Sequence, residues 1–418
     1  MKKANLVGKL HRALFLTLIA LLPVQLGRHF WPEWTYVLGL RIDYLAPTIY
    51  LTDLLLVGIV GLWFWENIKQ LTISKQLLAI KRYWWVIVAF FYLLVNSFLA
   101  QNPGVAFYKF FKIIEFTLLG FYLARTKVRM ASLVPYLSLG VIYSSLMAIG
   151  QFVWQHSLGG PFWWLGERTF NAFTPGIAEA ILGGRLMMRP YATFPHPNVL
   201  AGFILVSLIL IAMNSQEGQF KKTVKWLVVG LGIVVLVISF SRSVWLVGLL
   251  SLFFIGYYFF PKKKYYLMVA SIGLLCLAGL LYFTPQLSTE EAFSQRLQLG
   301  KAAVDMAKTA PMMGVGLNNF LVRLPDFWQA PKTVRSLQPV HNLFLLVVAE
   351  TGLTGLLFFL WLLILTYKRL LFTGQKSLFL VLSAVLALGL FDHYWLTLQQ
   401  TQLLLTVVFG LSWGTKKG

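Results

Sequence analysis

Residues 224–264, VKWLVVGLGIVVLVISFSRSVWLVGLLSLFFIGYYFFPKKK, contain the pattern that decides the fold. Two apolar runs meet at Arg242, and the second run ends at Lys262, Lys263 and Lys264. A single helix through both runs would place Arg242 near the bilayer centre, which costs at least about 2.5 kcal/mol. The stretch therefore predicts a tight helical hairpin, with Arg242 in its outer turn and the three lysines in the cytoplasm.

The whole chain has the composition of an integral membrane protein. Of its 418 residues, 58% are hydrophobic and only 12% are charged, which excludes a soluble domain. The formal net charge of +22 would indicate nucleic acid in a soluble protein. Here the lysines lie in short loops beside apolar runs, so we expect membrane lipids and no nucleic acid as partners. The single cysteine, Cys276, excludes an internal disulfide and a cysteine-based metal cluster.

The polar gaps between the apolar runs are of two kinds, which sets the predicted orientation. Lysine-rich gaps stay in the cytoplasm, so the gaps rich in arginine and histidine should face outward. We interpret the basic and then apolar start, Met1 to Leu26, as an uncleaved first span. We expect an all-α fold: a polytopic transmembrane helical bundle forming one domain over 1–418, with both termini cytoplasmic. At about 20 residues per span, the predicted spans, about twelve in number, are 13–27, 46–65, 83–99, 105–124, 133–153, 197–213, 224–240, 243–260, 265–283, 341–366, 376–391 and 394–413.

Two of the predicted outer segments are long, 154–196 and 284–340. The second contains Ser288–Thr289–Glu290–Glu291, a helix N-cap with acidic residues in the first turn. A short helix should continue to about Thr309 and end before Pro311. The apolar residues that share one face of this helix predict its buried stripe, namely Phe293, Leu297 and Val304.

The sharpest candidate for chemistry is His341–Asn342, at the start of a long apolar run. An imidazole at the outer end of a span can accept or donate a proton near the lipid headgroups, and Asn342 can cap the helix. Glu350 lies about two and a half turns deeper, where a lone carboxylate is costly and often functional. The alternative is a boundary histidine and a glutamate that pairs with a neighbouring helix.

Three further outer segments carry arginines suited to an anionic ligand. Arg189 begins the stretch RPYATFPHPN, 189–198, whose prolines prevent a helix and leave backbone groups able to bond a ligand. Arg242 is flanked by serines, and Arg296 lies on the predicted outer helix. A guanidinium group matches phosphate oxygens with its planar fork, so an excess of outer arginines fits a diphosphate. Each segment taken alone also fits an ordinary loop or turn.

Two weaker patterns point to other ligands. The stretch PMMGVGLNNF, 311–320, has glycines but lacks the Lys-Ser/Thr ending of a phosphate-binding loop, so we expect a turn that packs the outer segment onto the bundle. A metal site would use histidines and an aspartate of the outer segments, but no HExxH or comparable spacing supports it. We therefore expect no metal and no cofactor. The residues of that alternative metal site are His196, His341, His393 and Asp392.

Taken in order, these segments resemble the O-antigen ligase and O-antigen polymerase superfamily of membrane glycosyltransferases. The resemblance covers roughly residues 185–413 and rests on the order and spacing of the motifs rather than on any one of them. The matching motifs are 189–198, Ser241–Arg242–Ser243, Arg296 followed by 311–320, His341–Asn342 with Glu350, Gly352 and Gly355, and Asp392 near the last span.

The resemblance implies a polyprenyl-dependent glycosyltransferase of the bacterial plasma membrane, with its active site on the extracytoplasmic side. The donor would be a glycan on undecaprenyl diphosphate, and the acceptor a sugar hydroxyl of a lipid-linked or other glycan. Transfer would invert the anomeric carbon without a metal. Arg189 and Arg242 would bind the diphosphate, and His341 would orient or activate the acceptor. The other expected substrate-binding residues are Arg296, Asn342, Asn198 and Asp392.

Alternatives remain open at the level of function. Ligases and polymerases share these motifs, so the sequence does not separate them. A transporter or flippase for a lipid-linked glycan also fits about twelve spans. Transporters, however, place polar groups at mid-membrane and commonly contain repeats, whereas the polar residues here lie in outer segments.

Overall fold

The computed structural model describes residues 2–68, 73–126, 128–214, 222–259, 273, 290–328 and 337–414. The predicted span 265–283, apart from Gly273, lies outside the described residues. The described chain is mainly helical. Its helices are α1 (Lys2–Ala20), α2 (Leu51–Asn67), α3 (Ile73–Leu99), α4 (Pro103–Thr126), α5 (Met130–Trp154), α6 (Pro197–Asn214), α7 (Lys222–Ile238), α8 (Arg242–Phe259), α9 (Glu290–Thr309), α10 (Phe320–Phe327), α11 (Leu343–Thr373), α12 (Lys376–Gly389), α13 (Tyr394–Thr397) and α14 (Gln399–Trp413).

Three of the described helices are long and apolar enough to cross a membrane, namely α5, α6 and α11. The turn predicted at Arg242 is present, since α7 ends at Ile238 and α8 begins at Arg242. The number of spans stays a prediction. Shorter apolar helical segments are Trp84–Leu99, Thr223–Ile238, Arg242–Tyr257 and Lys376–Gly389.

Helix α6 is the central helix of the described bundle. Every residue from Val199 to Ile211 is buried, because α5, α7, α8 and α12 all pack against this helix. A helix that is apolar on all sides is stable in such a position. Gly202 allows the Tyr394 side chain to pack directly against the α6 backbone. A Cβ atom at this position would lie 2.2 Å from the hydroxyl oxygen of Tyr394. The turn after His393 is therefore seated directly on α6.

Short antiparallel strands lie in the predicted outer segments, so the all-α prediction was incomplete. Gly183 and Gly184, with φ angles of 56° and 78°, form a two-residue hairpin turn that glycine adopts without strain. A strand also occupies the start of the predicted span 46–65, so α2 begins only at Leu51. The strands are β1 (Gly27–His29), β2 (Tyr36–Val37), β3 (Leu40–Arg41), β4 (Thr48–Tyr50), β5 (Glu179–Leu182) and β6 (Arg185–Met188), paired β1 with β4, β2 with β3 and β5 with β6.

Helix α9 forms where the sequence predicted a helix, but the predicted buried face was wrong. Phe293 and Leu297 are 61% and 59% exposed, and Val304 is 39% exposed. The helix instead turns a face with two alanines towards α10 and α11, because small side chains let the helices approach each other closely. The residues buried on that face are Leu299, Ala302, Ala303 and Met306.

Helix α11 is interrupted at Gly352, where φ is 61°. The stretch 311–320 docks against this break, and the backbone N–H of Leu353 donates to the carbonyl of Pro311 at 2.8 Å. A Cβ atom at Gly352 would lie 2.4 Å from the backbone of Met312, so glycine satisfies both the conformation and the contact. The glycine-containing stretch 311–320 thus forms a turn on the bundle, as the sequence predicted.

Candidate active site

The segment 189–198 is held in a non-helical path by a buried side chain of α5. Gln151 Oε1 accepts hydrogen bonds from the backbone N–H groups of Tyr191 and Ala192, at 3.0 and 2.7 Å. These bonds satisfy backbone groups that the proline-rich segment cannot pair within a helix. The segment is therefore a fixed support for the Arg189 side chain.

The Arg189 guanidinium connects three elements of the fold. Its Nε donates to the carbonyl of Ser239, and its Nη2 donates to Asn198 Oδ1, both at 2.7 Å. Asn198 lies in the first turn of α6, and Ser239 lies in the turn between α7 and α8. Nη1 takes no part in either bond, so it is the group with which this fixed arginine can reach a ligand.

Arg242 is linked to Arg189 by the backbone of the turn between α7 and α8. It is the first residue of α8 and follows the turn whose Ser239 carbonyl holds Arg189. The Arg242 side chain is exposed, whereas that of Arg189 is half-buried. The two arginines predicted to bind diphosphate thus differ in how far they are buried.

His341 lies at a corner where α11 begins beside the end of α12. Asn342 Oδ1 caps α11 by accepting from the N–H groups of Phe344 and Leu345, each at 3.0 Å. Asn342 Nδ2 donates to the carbonyl of Leu390 at 3.1 Å. Asn342 therefore acts as the predicted cap, and it also fixes His341 relative to the corner after α12.

Asp392 and His393 lie opposite His341 at this corner. The imidazole rings of His341 and His393 have centroids 5.6 Å apart and planes at 67°. The backbone N–H of His393 donates to Asp392 Oδ1 at 2.8 Å, and His393 Nε2 lies 3.8 Å from the same oxygen. Two imidazoles and a carboxylate therefore face one another.

Burial and nearby guanidinium groups keep the histidines of this region neutral. Burial lowers the pKa of His196 to about 3, with the charge of Arg189 acting in the same direction and Asp392 opposing it. Burial also lowers the pKa of His341, with Asp392 again opposing it and Arg296 adding to it. A neutral imidazole at pH 7 can accept a proton, which is what a general base requires.

Asp392 remains ionised although it is buried. Burial raises its pKa, but the imidazoles of His393, His341 and His196 and the backbone N–H of His393 outweigh that effect, so the pKa lies below its usual value. Burial lowers the pKa of His393 to about 4. The corner thus combines a carboxylate with neutral imidazoles at pH 7.

The structure brings most of the predicted site residues into one electrostatic cluster. The charges of Arg189, Asp392 and Arg296 all act on His196, and Arg296 lowers the pKa of Arg189, which burial lowers first, to about 10. Arg296 comes from α9 and Arg189 from the loop before α6. Side chains from distant parts of the sequence therefore act on one another's charge around His196 and His341.

An open groove of about 570 Å³ begins at His341 and follows α9. Arg296, His341 and Asn342 line the groove at the His341 corner. Lys301, Asp305 and Lys308 line it further along α9, where Lys308 pairs with Asp305 at 3.2 Å. The groove explains why one face of α9 is apolar but exposed. The apolar lining residues are Leu297, Val304, Val340, Leu345, Leu390 and Phe391.

The site also has the donor atoms that a metal ion would need. One ligand atom from each of His341, Asp392 and His393 lies within 4.8 Å of the others, and two imidazoles with a carboxylate suit a transition metal. The surrounding charge opposes a metal, because Arg296 acts on His341 and a divalent cation would add two positive charges beside it. The spacing of the donors fits a metal, whereas their electrostatic surroundings favour an anion.

Glu350 does not lie at His341, and its contacts favour the structural alternative. Its Oε1 accepts from the backbone N–H of Phe320 at 3.4 Å, at the start of α10. Its carbonyl accepts from Gly316 N–H at 3.0 Å. The buried carboxylate therefore holds the start of α10 near the break in α11.

Sequence reasoning gave no role to Tyr44 and weighed His393 only as a metal ligand. The Tyr44 ring packs edge-on against His393, with centroids 5.5 Å apart. Tyr44 lies between the short strands β3 and β4, and nothing in its local sequence indicates this long-range contact. The adjacency of His393 to Asp392 is the one signal from which its place in the site could have been inferred.

Comparison with known proteins shows what part of this chain is similar to. Residues 227–360 match the model of a family described as O-Antigen ligase. A stretch of 176 residues is 28% identical to the General O-oligosaccharyltransferase of Acinetobacter baylyi, covering 40% of this chain and 27% of that relative. The match thus spans about a quarter of the relative's length. The matched family region contains Arg242, Arg296 and His341, and it confirms the resemblance of this chain to the O-antigen ligase superfamily.

Proposed function

We propose that this chain is a bacterial inner-membrane glycosyltransferase of the O-antigen ligase type. In this proposal it moves a glycan from undecaprenyl diphosphate to an acceptor sugar hydroxyl at the outer face of the membrane. One observation carries the proposal: a neutral His341 and an ionised Asp392 lie beside Arg189 and Arg296, where an apolar groove begins.

The arginines provide the binding site for the diphosphate. Arg189 is held by Ser239 and Asn198 through Nε and Nη2, so its Nη1 is preorganised and the side chain loses little entropy on binding. Arg296 approaches from α9 and Arg242 from α8, so the two phosphates can be held from several directions. Diphosphate is a good leaving group once these charges offset its own.

The groove along α9 fits the lipid part of the same donor. Its end at the His341 corner contains Arg296 and His341, and its flanks include Leu297, Val304 and Leu390. In this proposal the charged head of a polyprenyl diphosphate lies at the His341 corner, and its apolar chain lies against Leu297, Val304 and Leu390. Leu297 is 59% exposed, and covering it with an isoprenoid chain would be favourable by the usual hydrophobic effect.

His341 is the proposed base for the acceptor hydroxyl. Its imidazole lines the groove and is neutral at pH 7, so it can accept the proton of an acceptor hydroxyl that enters there. The acceptor oxygen then forms a bond to the anomeric carbon, while the bond from that carbon to the diphosphate oxygen breaks. The electron pair leaves on the diphosphate, held by the arginines, and attack from the opposite side inverts the anomeric centre. Asp392 stabilises the imidazolium that results.

Metal independence is part of the proposal. The task of offsetting diphosphate charge, which a divalent ion performs in many enzymes, falls here to Arg189, Arg242 and Arg296. The charge of Arg296 on His341 further disfavours a cation at the three-residue donor set.

Reconstitution tests the proposal directly. The full chain would be placed in vesicles containing a glycan on undecaprenyl diphosphate and supplied with an acceptor glycan, with and without EDTA. Formation of the joined glycan in both conditions would support the proposal. Movement of the lipid-linked glycan across the bilayer without any joined product would instead favour a transporter or flippase.

A further inference from the structure

We propose that Lys109 is a positioning residue, which fixes the Asp392–His393 corner by holding the carbonyl of Leu396. The expected effect of Lys109 on glycan transfer rests on the proposed function, whereas its expected effect on the stability of the corner does not. Lys109 lies on α4, far from the other site residues in sequence, and the transfer step outlined above makes no use of it.

Two side chains from different helices share one carbonyl oxygen. Lys109 Nζ donates to the Leu396 carbonyl, and Gln402 Nε2 of α14 donates to the same oxygen. Leu396 belongs to α13, a single helical turn that directly follows His393. A positive charge at the C-terminal end of a helical turn is favourable, because the last carbonyls have no partner within the turn.

The turn held in this way sets the position of the His393 imidazole. The backbone N–H of Leu396 donates to the His393 carbonyl at 2.9 Å, and the Thr397 hydroxyl donates to the same carbonyl at 3.3 Å. The Thr397 oxygen lies 2.7 Å from His393 Nδ1. These contacts fix the orientation of the His393 ring, with Nδ1 at Thr397 and Nε2 on the side of Asp392.

Lys109 differs from the next buried lysine of the same helix. Lys112 forms ion pairs with Asp53 at 2.7 Å and with Glu115 at 2.8 Å, so fold stability explains its presence. Among the described residues, no carboxylate lies within ion-pair distance of Lys109. Its positive charge does act on His393. An ammonium group inside a membrane bundle is expensive. The Glu350 carboxylate acts on its charge from beyond ion-pair distance, and the Leu396 carbonyl is its direct hydrogen-bond partner.

Amide hydrogen exchange of residues 392–398 tests the positioning role without any assay of activity. Lys109→Met and Gln402→Leu each remove one donor to the Leu396 carbonyl, so exchange in this segment should accelerate by about 5- to 10-fold, as expected for one lost hydrogen bond. Tyr108→Phe is the matched control. The Tyr108 hydroxyl bonds the backbone of Thr48 at 3.2 and 3.3 Å, so its loss should leave exchange at 392–398 unchanged.

Kinetics then test the catalytic consequence in the same variants. Displacing the His393 corner should lower kcat by about 10- to 100-fold while KM for the lipid-linked donor stays within about twofold. The loss in the double variant should be smaller than the product of the two single losses, because both donors hold one atom. If Lys109→Met does not fold, Gln402→Leu gives the same test.

Two outcomes would overturn the inference. One is unchanged exchange at 392–398 in both variants, and the other is a kcat no lower than in Tyr108→Phe. If the wild-type protein joins no glycans, the proposed function alone is contradicted. The exchange experiment would still decide the positioning role of Lys109.

Discussion

The imidazole of His341 lies edge-on against that of His393, with ring centroids 5.6 Å apart, at the corner that also holds Asp392. The neutral His393 ring packs against His341 and adds no positive charge beside it. The contact joins the start of α11 to the residues before α13, so the position of the proposed base depends on two separate parts of the chain.

His341→Ala should abolish most of the transfer activity. A general base contributes about 10²- to 10⁴-fold to a rate, so turnover should fall by that order while expression and donor binding are retained. His156→Ala, at an exposed histidine of an outer segment, is the matched control and should keep wild-type turnover. EDTA should change neither protein. Loss of wild-type activity in EDTA, with recovery on adding a divalent ion, would instead assign His341, Asp392 and His393 to a metal.

Arg242→Lys should lose most activity although it keeps the positive charge. Lysine is a point charge and cannot contact two phosphate oxygens with a planar fork, so we expect a loss of at least about 10-fold. Turnover is measured in vesicles with a lipid-linked glycan. Arg185→Lys, at the tip of the exposed β5–β6 hairpin, controls for a general effect of replacing an outer arginine. Turnover near wild type in Arg242→Lys would refute a bidentate role.

Leu297→Glu should weaken binding of the lipid part of the donor. The change places a carboxylate in the apolar flank of the groove, so KM for a long-chain donor should rise by about 10-fold or more. A donor with a much shorter isoprenoid chain should be affected far less. Gln298→Glu adds the same charge at the next exposed position of α9, and it should leave KM unchanged. Equal effects in the two variants would argue against a chain in this groove.

The protein should lose stability as the pH falls below about 6.5. Burial lowers the pKa of His196 from 6.5 to about 3, so between these values the unfolded chain binds more protons than the folded one. The stability from this group is complete above the unfolded pKa and declines through that window, with a slope approaching about 1.4 kcal/mol per pH unit. Melting temperatures in detergent from pH 7 to pH 4 would reveal the slope. His196→Gln should reduce the slope and leave the share of His341 and His393, whose pKa values are also lowered by burial. An unchanged slope in that variant would contradict the assignment.

The helices that are marked by a long apolar run, or by a charge between two such runs, could be predicted from the sequence. The apolar runs predicted α6, and the cost of an arginine in lipid predicted the turn before α8. The exposed face of α9 was wrongly predicted because large apolar residues normally pack inward, whereas here Leu297 and Val304 line a groove. Periodicity within one helix contains no information about which neighbour it will meet.

The parts of the site that depend on long-range bonds could not be predicted in this way. Arg189 and His341 were identified from residue type and place, since arginines and a histidine at the outer ends of apolar runs already suggest an anion and a base. The contacts of Tyr44 with His393 and of Lys109 with Leu396 join residues hundreds of positions apart. A single sequence does not reveal which backbone carbonyl a buried lysine will reach.

The break at Gly352 separates the part of α11 that begins beside His341 from the part that ends at Thr373. Backbone bonds at the break fasten the first part to the outer segment, through Leu353 with Pro311 and Gly316 with Glu350. We therefore expect the second part to tilt as the bilayer thickens or thins, while the first part keeps its place beside α9. The spacing between base and arginines would then be the same in membranes of different lipid composition.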